Sequence, residues 1–324
     1  MIDGCGRTID YLRISIIDRC DLRCVYCMPE HGVAAVAHEE ILSYEEILRL
    51  VKVFAGLGIR KIKLTGGEPL MRRNVAHLVR ELKKIPGIEQ VTLTTNGILL
   101  AEMMEELAEA GIDGINLSLD TLNPQVFEKI ARRNSFEKVM EGFQAALKYS
   151  KIPLKINCVP LGMEGQDLVE MAELARKYPV HVRFIEMMPI GLGKQFTFCS
   201  EAQILEGLEK QYGKAEPFSQ NLGNGPGHYY SFEGFLGKVG FISAISHKFC
   251  ESCNRVRLTS QGYLKTCLQY DIGIDLKKIL REGAKEAELQ NAIKKALKEK
   301  PLSHQFDSKV EKHAERQMMA QIGG

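Results

Sequence analysis

The first 190 residues alternate between two patterns of hydrophobic and polar positions. Short apolar or alternating runs predict strands, and longer segments whose apolar residues return every three or four positions predict helices. Ser43 and Glu46 form a capping box at the start of the first helix. The predicted strands are Tyr11 to Ile17, Lys61 to Thr65, Val91 to Thr95, Ile112 to Leu119, Leu154 to Val159 and Val180 to Glu186. The further predicted helices are Val75 to Ile85, Ala101 to Ala110, Pro124 to Ala131, Phe136 to Tyr149 and Asp167 to Tyr178.

Strands that alternate with helices predict right-handed crossovers and a parallel sheet in an α/β fold. Six such steps are too few for a closed eight-fold barrel, and both a partly open barrel and a doubly wound sheet fit the pattern. Because the pattern changes after Gly191, we predict a core over 1–190 and a C-terminal region over 191–324. The C-terminal region is predicted to hold a helix over 200–212, a Gly/Asn/Pro-rich loop over 221–227, short strands over 229–242 and a charged, helical stretch over 276–300.

Composition and charge exclude several classes of protein. The 324 residues include 43 Lys and Arg and 41 Asp and Glu, a formal charge of +2, which argues against bulk nucleic-acid binding. No apolar run approaches the roughly 18 residues of a membrane span. The first residues also lack a charged segment followed by an apolar one, so we expect a cytoplasmic protein without a secretory signal.

Nine cysteines narrow the chemistry further. An odd count in a large chain without a secretory signal argues against a disulfide framework. Two groups of three predict two metal sites, each one ligand short of the usual four. The groups are Cys20, Cys24 and Cys27, and Cys250, Cys253 and Cys267. We expect the isolated cysteines to pack as small apolar residues, and these are Cys5, Cys158 and Cys199.

The first group has the spacing C-x3-C-x2-C and follows a predicted strand, where sites of α/β proteins gather. Three thiolates suit a [4Fe–4S] cube with one open iron, whereas structural zinc normally takes four ligands; a zinc site or unligated buried thiols are the alternatives. The second group, C-x2-C-x13-C, fits either zinc with a borrowed fourth ligand or a second cluster with an open iron. The residues alone leave both open.

Several Lys and Arg residues lie on predicted strands or extended segments, where we expect a buried environment. Arg255 and Arg257 are two residues apart, so an extended segment directs both side chains to the same side. Arg13, Lys63, Lys155 and Arg183 lie on predicted strands, where unpaired charge is costly. Structural ion pairs would explain single cases, but several together favour a pocket for a polyanion such as a nucleoside triphosphate. The lack of a P-loop argues against a phosphoryl-transfer enzyme.

The first cysteine motif, with Tyr26 as the aromatic of C-x3-C-x-aromatic-C, resembles the radical S-adenosylmethionine superfamily. Thr65-Gly66-Gly67-Glu68-Pro69 resembles its motif for the methionine amino group, for which Glu68 offers a carboxylate. The resemblance implies a partial (β/α)6 TIM-like barrel and a [4Fe–4S] cluster on Cys20, Cys24 and Cys27, whose open iron chelates S-adenosylmethionine. The residues implied to line the S-adenosylmethionine site are Tyr26, Gly67, Ser118 and Met188.

Within that superfamily the chain resembles the GTP 3′,8-cyclase family. The matching stretches are YLRIS, DRC-x3-C-x2-CMP, TGGEPLMRR, TTNG, NLSLD, RFIEMMP, FC-x2-CNRVR and the terminal Gly-Gly. The resemblance implies a second [4Fe–4S] cluster on Cys250, Cys253 and Cys267 in a C-terminal extension, with its free iron toward the purine. It implies GTP contacts from Arg13, Lys63, Thr94, Lys155, Arg183, Arg255, Val256 and Arg257, and catalytic assistance from Gly323 and Gly324.

The implied reaction is the first step of molybdenum cofactor biosynthesis. A 5′-deoxyadenosyl radical takes hydrogen from C3′ of GTP, and C3′ then attacks C8 of guanine to give (8S)-3′,8-cyclo-7,8-dihydroguanosine 5′-triphosphate. The implied partners are a low-potential electron donor and the cyclic pyranopterin monophosphate synthase that takes the product, and a homodimer is the base-rate expectation. The family resemblance leads us to expect Arg at position 63, where this chain has Lys. Lys63 keeps the positive charge but lacks the two parallel hydrogen bonds that a guanidinium can donate to phosphate. A peptide-modifying two-cluster radical enzyme and a zinc-stabilised binding module are the competing hypotheses.

Overall fold

The computed structural model describes residues 1–34, 36–197, 199–220, 222–306 and 314–323. These residues build a twelve-stranded sheet in the order β12-β11-β10-β1-β2-β3-β4-β5-β6-β9-β8-β7. The strands are β1 Tyr11–Ser15, β2 Lys61–Thr65, β3 Gln90–Thr95, β4 Ile115–Ser118, β5 Leu154–Cys158, β6 His181–Ile185, β7 Glu216–Phe218, β8 His228–Ser231, β9 Val239–Ile242, β10 Arg255–Leu258, β11 Tyr263–Lys265 and β12 Gly273–Asp275.

The helices lie mostly between the parallel strands. They are α1 Tyr44–Gly56, α2 Val75–Lys83, α3 Leu100–Glu109, α4 Pro124–Ala131, α5 Phe136–Leu147, α6 Leu168–Lys177, α7 Glu201–Tyr212, α8 Leu276–Arg281, α9 Glu286–Lys298 and α10 Met319–Ile322. The six predicted strand–helix steps are therefore confirmed, with boundaries that move by a few residues. The capping box of α1 is also confirmed, because the Glu46 amide donates to Ser43 Oγ at 3.1 Å and the Ser43 amide donates to Glu46 Oε2 at 2.8 Å.

Strand order decides between the two architectures that periodicity leaves open. The strands β1 to β6 lie side by side in chain order and all run parallel. A doubly wound sheet reverses its order at a switch point, and this sheet does not, so the fold is the partial barrel. β10 and β9 extend the parallel array on either side of β1 and β6, and the antiparallel strands β12 and β7 are the outer edges among the described residues.

Side-chain alternation along the strands separates the core from the barrel interior. Leu12 and Ile14 of β1 are fully buried in the hydrophobic core beneath the helices. Arg13 lies between them and faces the opposite side, because successive side chains of a strand point to opposite faces. Lys63 of β2 repeats this pattern between the buried Ile62 and Leu64. The strands thus direct cations into the barrel and leave an apolar layer outside.

The predicted helical stretch over 276–300 is confirmed and consists of two helices, since Gly283 adopts φ +86° between α8 and α9 and ends the first of them. The prediction for the isolated cysteines is wrong in one case. Cys5 is exposed and does not pack as an apolar residue, whereas Cys158 is buried in the core as expected and Cys199 is half-buried.

Among the described parts of the chain, no helix combines the length and apolar character of a membrane span.

Candidate active site

One cavity of about 430 Å³ runs through the barrel and gathers nearly all the predicted site residues. Its predicted lining residues are Arg13, Cys20, Cys24, Tyr26, Cys27, Lys63, Gly67, Thr94, Ser118, Lys155, Arg183, Met188, Cys250, Cys253, Arg255, Val256, Arg257 and Cys267. The volume lies within the range of pockets that enclose small ligands. Of the two predicted glycines, Gly323 lies next to the lining residues Thr65 and Arg257, and Gly324 lies outside the described residues.

The two cysteine groups occupy opposite ends of the barrel. The first follows β1 at the C-terminal ends of the parallel strands. The second precedes β10, which runs parallel to β1 with Arg255 opposite Tyr11, so it lies at the N-terminal ends. Five residues of strand, at about 3.3 Å per residue, separate the ends by roughly 16 Å. The cavity therefore joins two thiol sites that face each other along the barrel axis.

The donors of the first cysteine group fit an iron–sulfur cluster. Cys20, Cys24 and Cys27 all line the cavity, and a [4Fe–4S] cube takes its thiolates at separate corners. Burial raises the pKa of the Cys27 thiol to about 12, although the Ala320 amide lowers it, so deprotonation requires nearby positive charge such as iron. Asn96 Nδ2 also donates to Cys20 Sγ at 3.8 Å.

The loop after β2 packs directly against the first cysteine loop. A Cβ on Gly67 would lie 2.2 Å from the Arg19 carbonyl oxygen, so the close approach requires glycine. Glu68 is 1 % exposed and accepts hydrogen bonds from Thr95 Oγ1 at 2.7 Å, from the Asn96 amide at 2.7 Å and from the Leu70 amide at 3.0 Å. The carboxylate thus joins the loops after β2 and β3, and Glu68 also lines the cavity, where Oε2 accepts only one of the three bonds and can still accept from a ligand amine.

Tyr26 is fixed at the ends of the middle strands. Its hydroxyl donates to Asp120 Oδ2 at 2.9 Å, and Asp120 Oδ1 accepts from the Val159 amide at 2.8 Å. Burial raises the pKa of Asp120 to about 6, although the bonds from Val159 and Tyr26 lower it. Ser118 ends β4 and Met188 follows β6, so both lie at the same rim of the cavity.

The cations form a row across the barrel interior. Arg13 is the register partner of Arg257 on one side and of Lys63 on the other. Burial lowers the pKa of Lys63 well below its ordinary value, and the neighbouring Arg183 and Arg13 lower it further. Like charges at opposing positions of adjacent strands are destabilising, so the row fits an anionic ligand that offsets the repulsion.

Arg183 and Lys155 extend this positive surface, and the hydrogen bonds described for their side chains go to amide and carbonyl oxygens. Arg183 Nη2 donates to Asn116 Oδ1 at 2.9 Å, and its Nε donates to Asn157 Oδ1 at 3.0 Å. Lys155 Nζ donates to the Leu222 carbonyl. Burial lowers the pKa of Lys155 to about 8, and Arg183 contributes to the same shift. Amides and carbonyls orient these cations but leave their charge available to a ligand.

The second cysteine group also matches a cluster by its donors. The His304 amide donates to Cys250 Sγ at 3.4 Å. Burial raises the pKa of the Cys253 thiol, but Lys300 and Arg255 lower it to about 7. Amide donors and cations near sulfur are the features that support cluster thiolates. Arg7 holds this loop from behind, because its Nη1 donates to the Cys250 carbonyl at 2.8 Å.

The C-terminal segment reaches the barrel beside the cation row. Arg257 Nη1 donates to the Gly323 carbonyl at 2.9 Å. Gly323 has φ +82°, and a Cβ there would lie 2.7 Å from Ser15 Cβ and 2.9 Å from Thr65 Oγ1. Only glycine fits this space at that backbone conformation. Gly323 thus contacts the ends of β1 and β2 that carry the first site.

Sequence reasoning missed two sets of lining residues. Asn116 and Asn157 orient Arg183, and polar residues inside parallel strands were the signal that could have indicated them. The loop after β7 also lines the cavity through Leu222, Gly223, Asn224, Gly225 and Pro226. The sequence pattern predicts a Gly/Asn/Pro-rich loop here but assigns it no place in the site. A Cβ on Gly223 would lie 2.7 Å from Lys155 Nζ, so this glycine permits close approach to a cation.

A partial barrel with three cysteines after its first strand defines a radical S-adenosylmethionine enzyme. Residues 14–177 match the radical SAM superfamily model, and residues 180–306 match the molybdenum cofactor synthesis C model. The chain is 44 % identical over 328 residues to a GTP 3′,8-cyclase of Desulforamulus reducens and 45 % identical over 328 residues to that of Syntrophomonas wolfei, with 100 % of each chain covered in both cases. The chain belongs to the GTP 3′,8-cyclase family.

Solved structures agree on the fold. Streptococcus suis SuiB bound to S-adenosylmethionine matches with a TM-score of 0.59 and 13 % identity, over 87 % of this chain and 68 % of that one. SuiB bound to the precursor peptide SuiA matches with a TM-score of 0.60 and 15 % identity, over 98 % and 71 %. The predicted fold class, superfamily, family, enzyme class and role in molybdenum cofactor synthesis are confirmed. Membership implies a [4Fe–4S] cluster and S-adenosylmethionine.

Proposed function

We propose that this chain converts GTP to (8S)-3′,8-cyclo-7,8-dihydroguanosine 5′-triphosphate by joining C3′ of the ribose to C8 of guanine. The observation that supports this best is the row of Lys63, Arg13 and Arg257 between the two thiol sites of one cavity. GTP offsets the repulsion within the row: its triphosphate lies at Arg13 and Lys63, its purine extends past Arg257 toward the second thiol site, and its ribose faces the first. The relatives named GTP 3′,8-cyclase support the same substrate.

Cys20, Cys24 and Cys27 hold the first [4Fe–4S] cluster in this proposal. When bound there and reduced, the cluster and S-adenosylmethionine supply a 5′-deoxyadenosyl radical. Tyr26, Gly67, Ser118 and Met188 hold S-adenosylmethionine. Gly67 lets the loop after β2 pack against the first cysteine loop and so brings the loop's backbone to the methionine end, Ser118 offers a hydroxyl, and Met188 offers an apolar surface to the adenine. Asp120 keeps the Tyr26 ring in place through its hydroxyl.

The opposite end of the cavity holds the substrate base. Cys250, Cys253 and Cys267 bind a second [4Fe–4S] cluster in this proposal, and its fourth iron faces the purine. Arg255, Val256 and Arg257 lie beside the purine on β10. The remaining predicted contacts surround the ribose and triphosphate, and these are Arg13, Lys63, Thr94, Lys155 and Arg183.

The protein's main contribution is position. Cations fixed on strands hold the triphosphate, and this places C3′ toward the radical source at the C-terminal rim. The Leu222 to Pro226 loop covers the cavity near Lys155 and limits the access of water to reactive intermediates. Gly323 and Gly324 assist catalysis from the C-terminal segment, where the Gly323 carbonyl orients Arg257.

Substrate and product contain the same atoms in this reaction. One hydrogen atom leaves C3′, the C3′–C8 bond forms, and one electron and one proton complete the dihydro ring. A low-potential electron donor supplies the electrons, and cyclic pyranopterin monophosphate synthase takes the product. We further propose a homodimer, a cytoplasmic location, and a division of labour in which 1–190 generates the radical and 191–324 binds the purine.

Anaerobic incubation of the reconstituted protein with S-adenosylmethionine, dithionite and GTP tests the proposal. We expect both 5′-deoxyadenosine and the cyclised nucleotide. The Cys250→Ser variant should keep deoxyadenosine formation and lose the nucleotide product, because only the second site is changed. Deoxyadenosine without any nucleotide product from the unmodified protein would overturn the GTP assignment and leave the superfamily intact. Tight GTP binding would argue against a peptide substrate, and two zinc ions in a colourless protein would favour the binding module.

A further inference from the structure

The hairpin of β10 and β11 holds the C-terminal segment at two points. Arg257 and Lys265 are register partners on its two strands. Arg257 donates to the Gly323 carbonyl, and Lys265 forms an ion pair with Glu315. Adjacent cations of one hairpin therefore bind residues that are eight positions apart in the segment that precedes the chain end.

The Lys265–Glu315 pair is deeply buried, with 2 % and 4 % of the two side chains exposed. Lys265 Nζ also donates to the Tyr270 carbonyl at 2.6 Å. Glu315 Oε1 accepts from the amides of Arg316 at 2.8 Å and Gln317 at 2.7 Å, so one carboxylate fixes the backbone that follows it. The Glu315 carboxylate therefore binds Lys265 of the hairpin through one oxygen and the backbone of its own segment through the other.

Backbone contacts support the same attachment. The Glu315 amide donates to the Gln269 carbonyl at 2.6 Å, and Ala314 forms an isolated antiparallel bridge with Tyr270. Further along, the Ala320 amide bonds Cys27, and Met318 packs on Gly191, where a Cβ would lie 3.0 Å from its sulfur. The segment thus runs from the loop of Cys267 to the loop of Cys27.

The space at Gly323 limits the register of this segment. Gly323 fits beside Ser15 and Thr65 only because it lacks a Cβ, so a shift that moves Ile322 to this position would place a side chain in that space. A buried ion pair contributes little net stability, because desolvation offsets its attraction, but it is well suited to specify register. Breaking one partner leaves an unpaired buried charge, which penalises every shifted arrangement.

We propose that Lys265 and Glu315 are positioning residues for catalysis: they set the register of the 314–323 segment on the second-cluster hairpin and so place Gly323 against Arg257. This deepens the proposed function and rests on it, since the segment matters only if Gly323 and Gly324 assist GTP cyclisation. Lys265 stands two residues before Cys267, so the same hairpin that holds the second thiol group also holds the segment.

Hydrogen–deuterium exchange of the full-length protein tests the positioning role without turnover. In Glu315→Gln, which keeps the shape of the side chain but removes its charge, we expect peptides over 316–323 to exchange at least tenfold faster. Peptides over β1 to β6 should keep their protection. The matched control is Glu206→Gln, which removes an exposed pair with Lys210 whose side chains are 67 % and 74 % exposed, and it should change neither region.

A second variant guards against general unfolding. Lys265→Met combined with Glu315→Gln removes the unpaired charge that the single change leaves, so the barrel should stay protected while 316–323 still exchanges faster. The inference is overturned if neither variant speeds exchange over 316–323. It is also overturned if, in both variants, exchange over β1 to β6 speeds up as much as exchange over 316–323.

Turnover gives a separate readout. We expect Glu315→Gln to lower the yield of cyclised nucleotide per deoxyadenosine at least tenfold, with iron content unchanged. An unchanged ratio would overturn the positioning role. If the unmodified protein forms no cyclised nucleotide, the proposed function fails, whereas the exchange experiment still reports whether the pair holds the segment.

Discussion

Arg13 lies directly opposite Lys63 in the parallel ladder of β1 and β2. Two cations side by side inside a barrel oppose folding, since their repulsion adds to the cost of removing each from water. They lie between the two thiol sites, where the attraction of a bound triphosphate offsets both the repulsion and the cost of desolvation. We therefore expect these residues to matter for substrate affinity and to contribute nothing to the stability of the free protein.

Replacing Lys63 should weaken GTP binding selectively. Lys63→Met removes a charged donor to phosphate, whose loss costs about 1.5–3 kcal/mol, or roughly 10- to 100-fold in the dissociation constant. Lys63→Arg should keep or improve the affinity, because the fork adds a second bond to phosphate. Equilibrium binding of GTP to the anaerobic holoenzyme measures both, and Lys84→Met, at an exposed surface pair with Glu81, is the control. If Lys63→Met and the unmodified protein bind GTP with equal affinity, Lys63 does not contact the triphosphate.

GTP affinity should fall as the pH rises above 8. Burial and Arg183 lower the pKa of Lys155 to about 8 in the free protein, and a bound triphosphate raises it again. Binding therefore takes up a proton above pH 8, and the affinity falls by up to tenfold per pH unit for that proton. The neighbouring His181 stays neutral throughout, because burial, Lys155 and Arg183 lower its pKa to about 4.

Binding measured between pH 7.5 and 9.5 checks this prediction. Lys155→Arg keeps its charge over the whole range, so its profile should be flatter than that of the unmodified protein by one proton. Parallel profiles for the two proteins would show that Lys155 does not meet the phosphates.

Gly323→Ala should abolish cyclisation, whereas Gly213→Ala should not. Both glycines have φ near +83°, and ψ is −170° at Gly213 and 81° at Gly323, so alanine at Gly213 carries backbone strain at least as large. Around Gly213 a Cβ meets nothing within 4 Å, but at Gly323 it meets Ser15 and Thr65 under 3 Å. The nucleotide yield per deoxyadenosine separates the two effects. Equal yields from the two variants would mean that strain, rather than the space beside β1 and β2, explains the need for glycine.

Arg7 should be required for the second cluster. It forms a buried pair with Asp3 and donates to the carbonyls of Cys250, Pro301 and Leu302, so it joins the cysteine loop to the following segment. Lysine cannot reproduce this fan of donors. Iron analysis of anaerobic Arg7→Lys should fall from about eight to about four per chain, since only one [4Fe–4S] cluster remains. Arg49→Lys, at an exposed bond to the Ala284 carbonyl, should keep its iron, and full iron in Arg7→Lys would refute the role.

Local patterns predicted much of this protein. The strands β1 to β6 and the cysteine groups follow from periodicity and spacing, which depend on residues close in the chain. The placement of β10 beside β1 was not predictable, because it joins Arg255 to Tyr11 across more than 200 residues. The hydrogen bonds that Glu68 accepts from Thr95 and Asn96 were not predictable for a similar reason, since both donors belong to the next strand–loop unit. The Lys265–Glu315 pair is equally invisible to sequence patterns, because a buried ion pair between distant segments has no local signature.

The central claim is that the cavity holds GTP with C3′ toward the first cysteine group. Turnover with GTP that carries deuterium at C3′ tests it most directly, with mass spectrometry of the deoxyadenosine formed. The account predicts one deuterium in 5′-deoxyadenosine and none from GTP deuterated at another ribose carbon. Deoxyadenosine that forms from the C3′-deuterated substrate without gaining deuterium would contradict it.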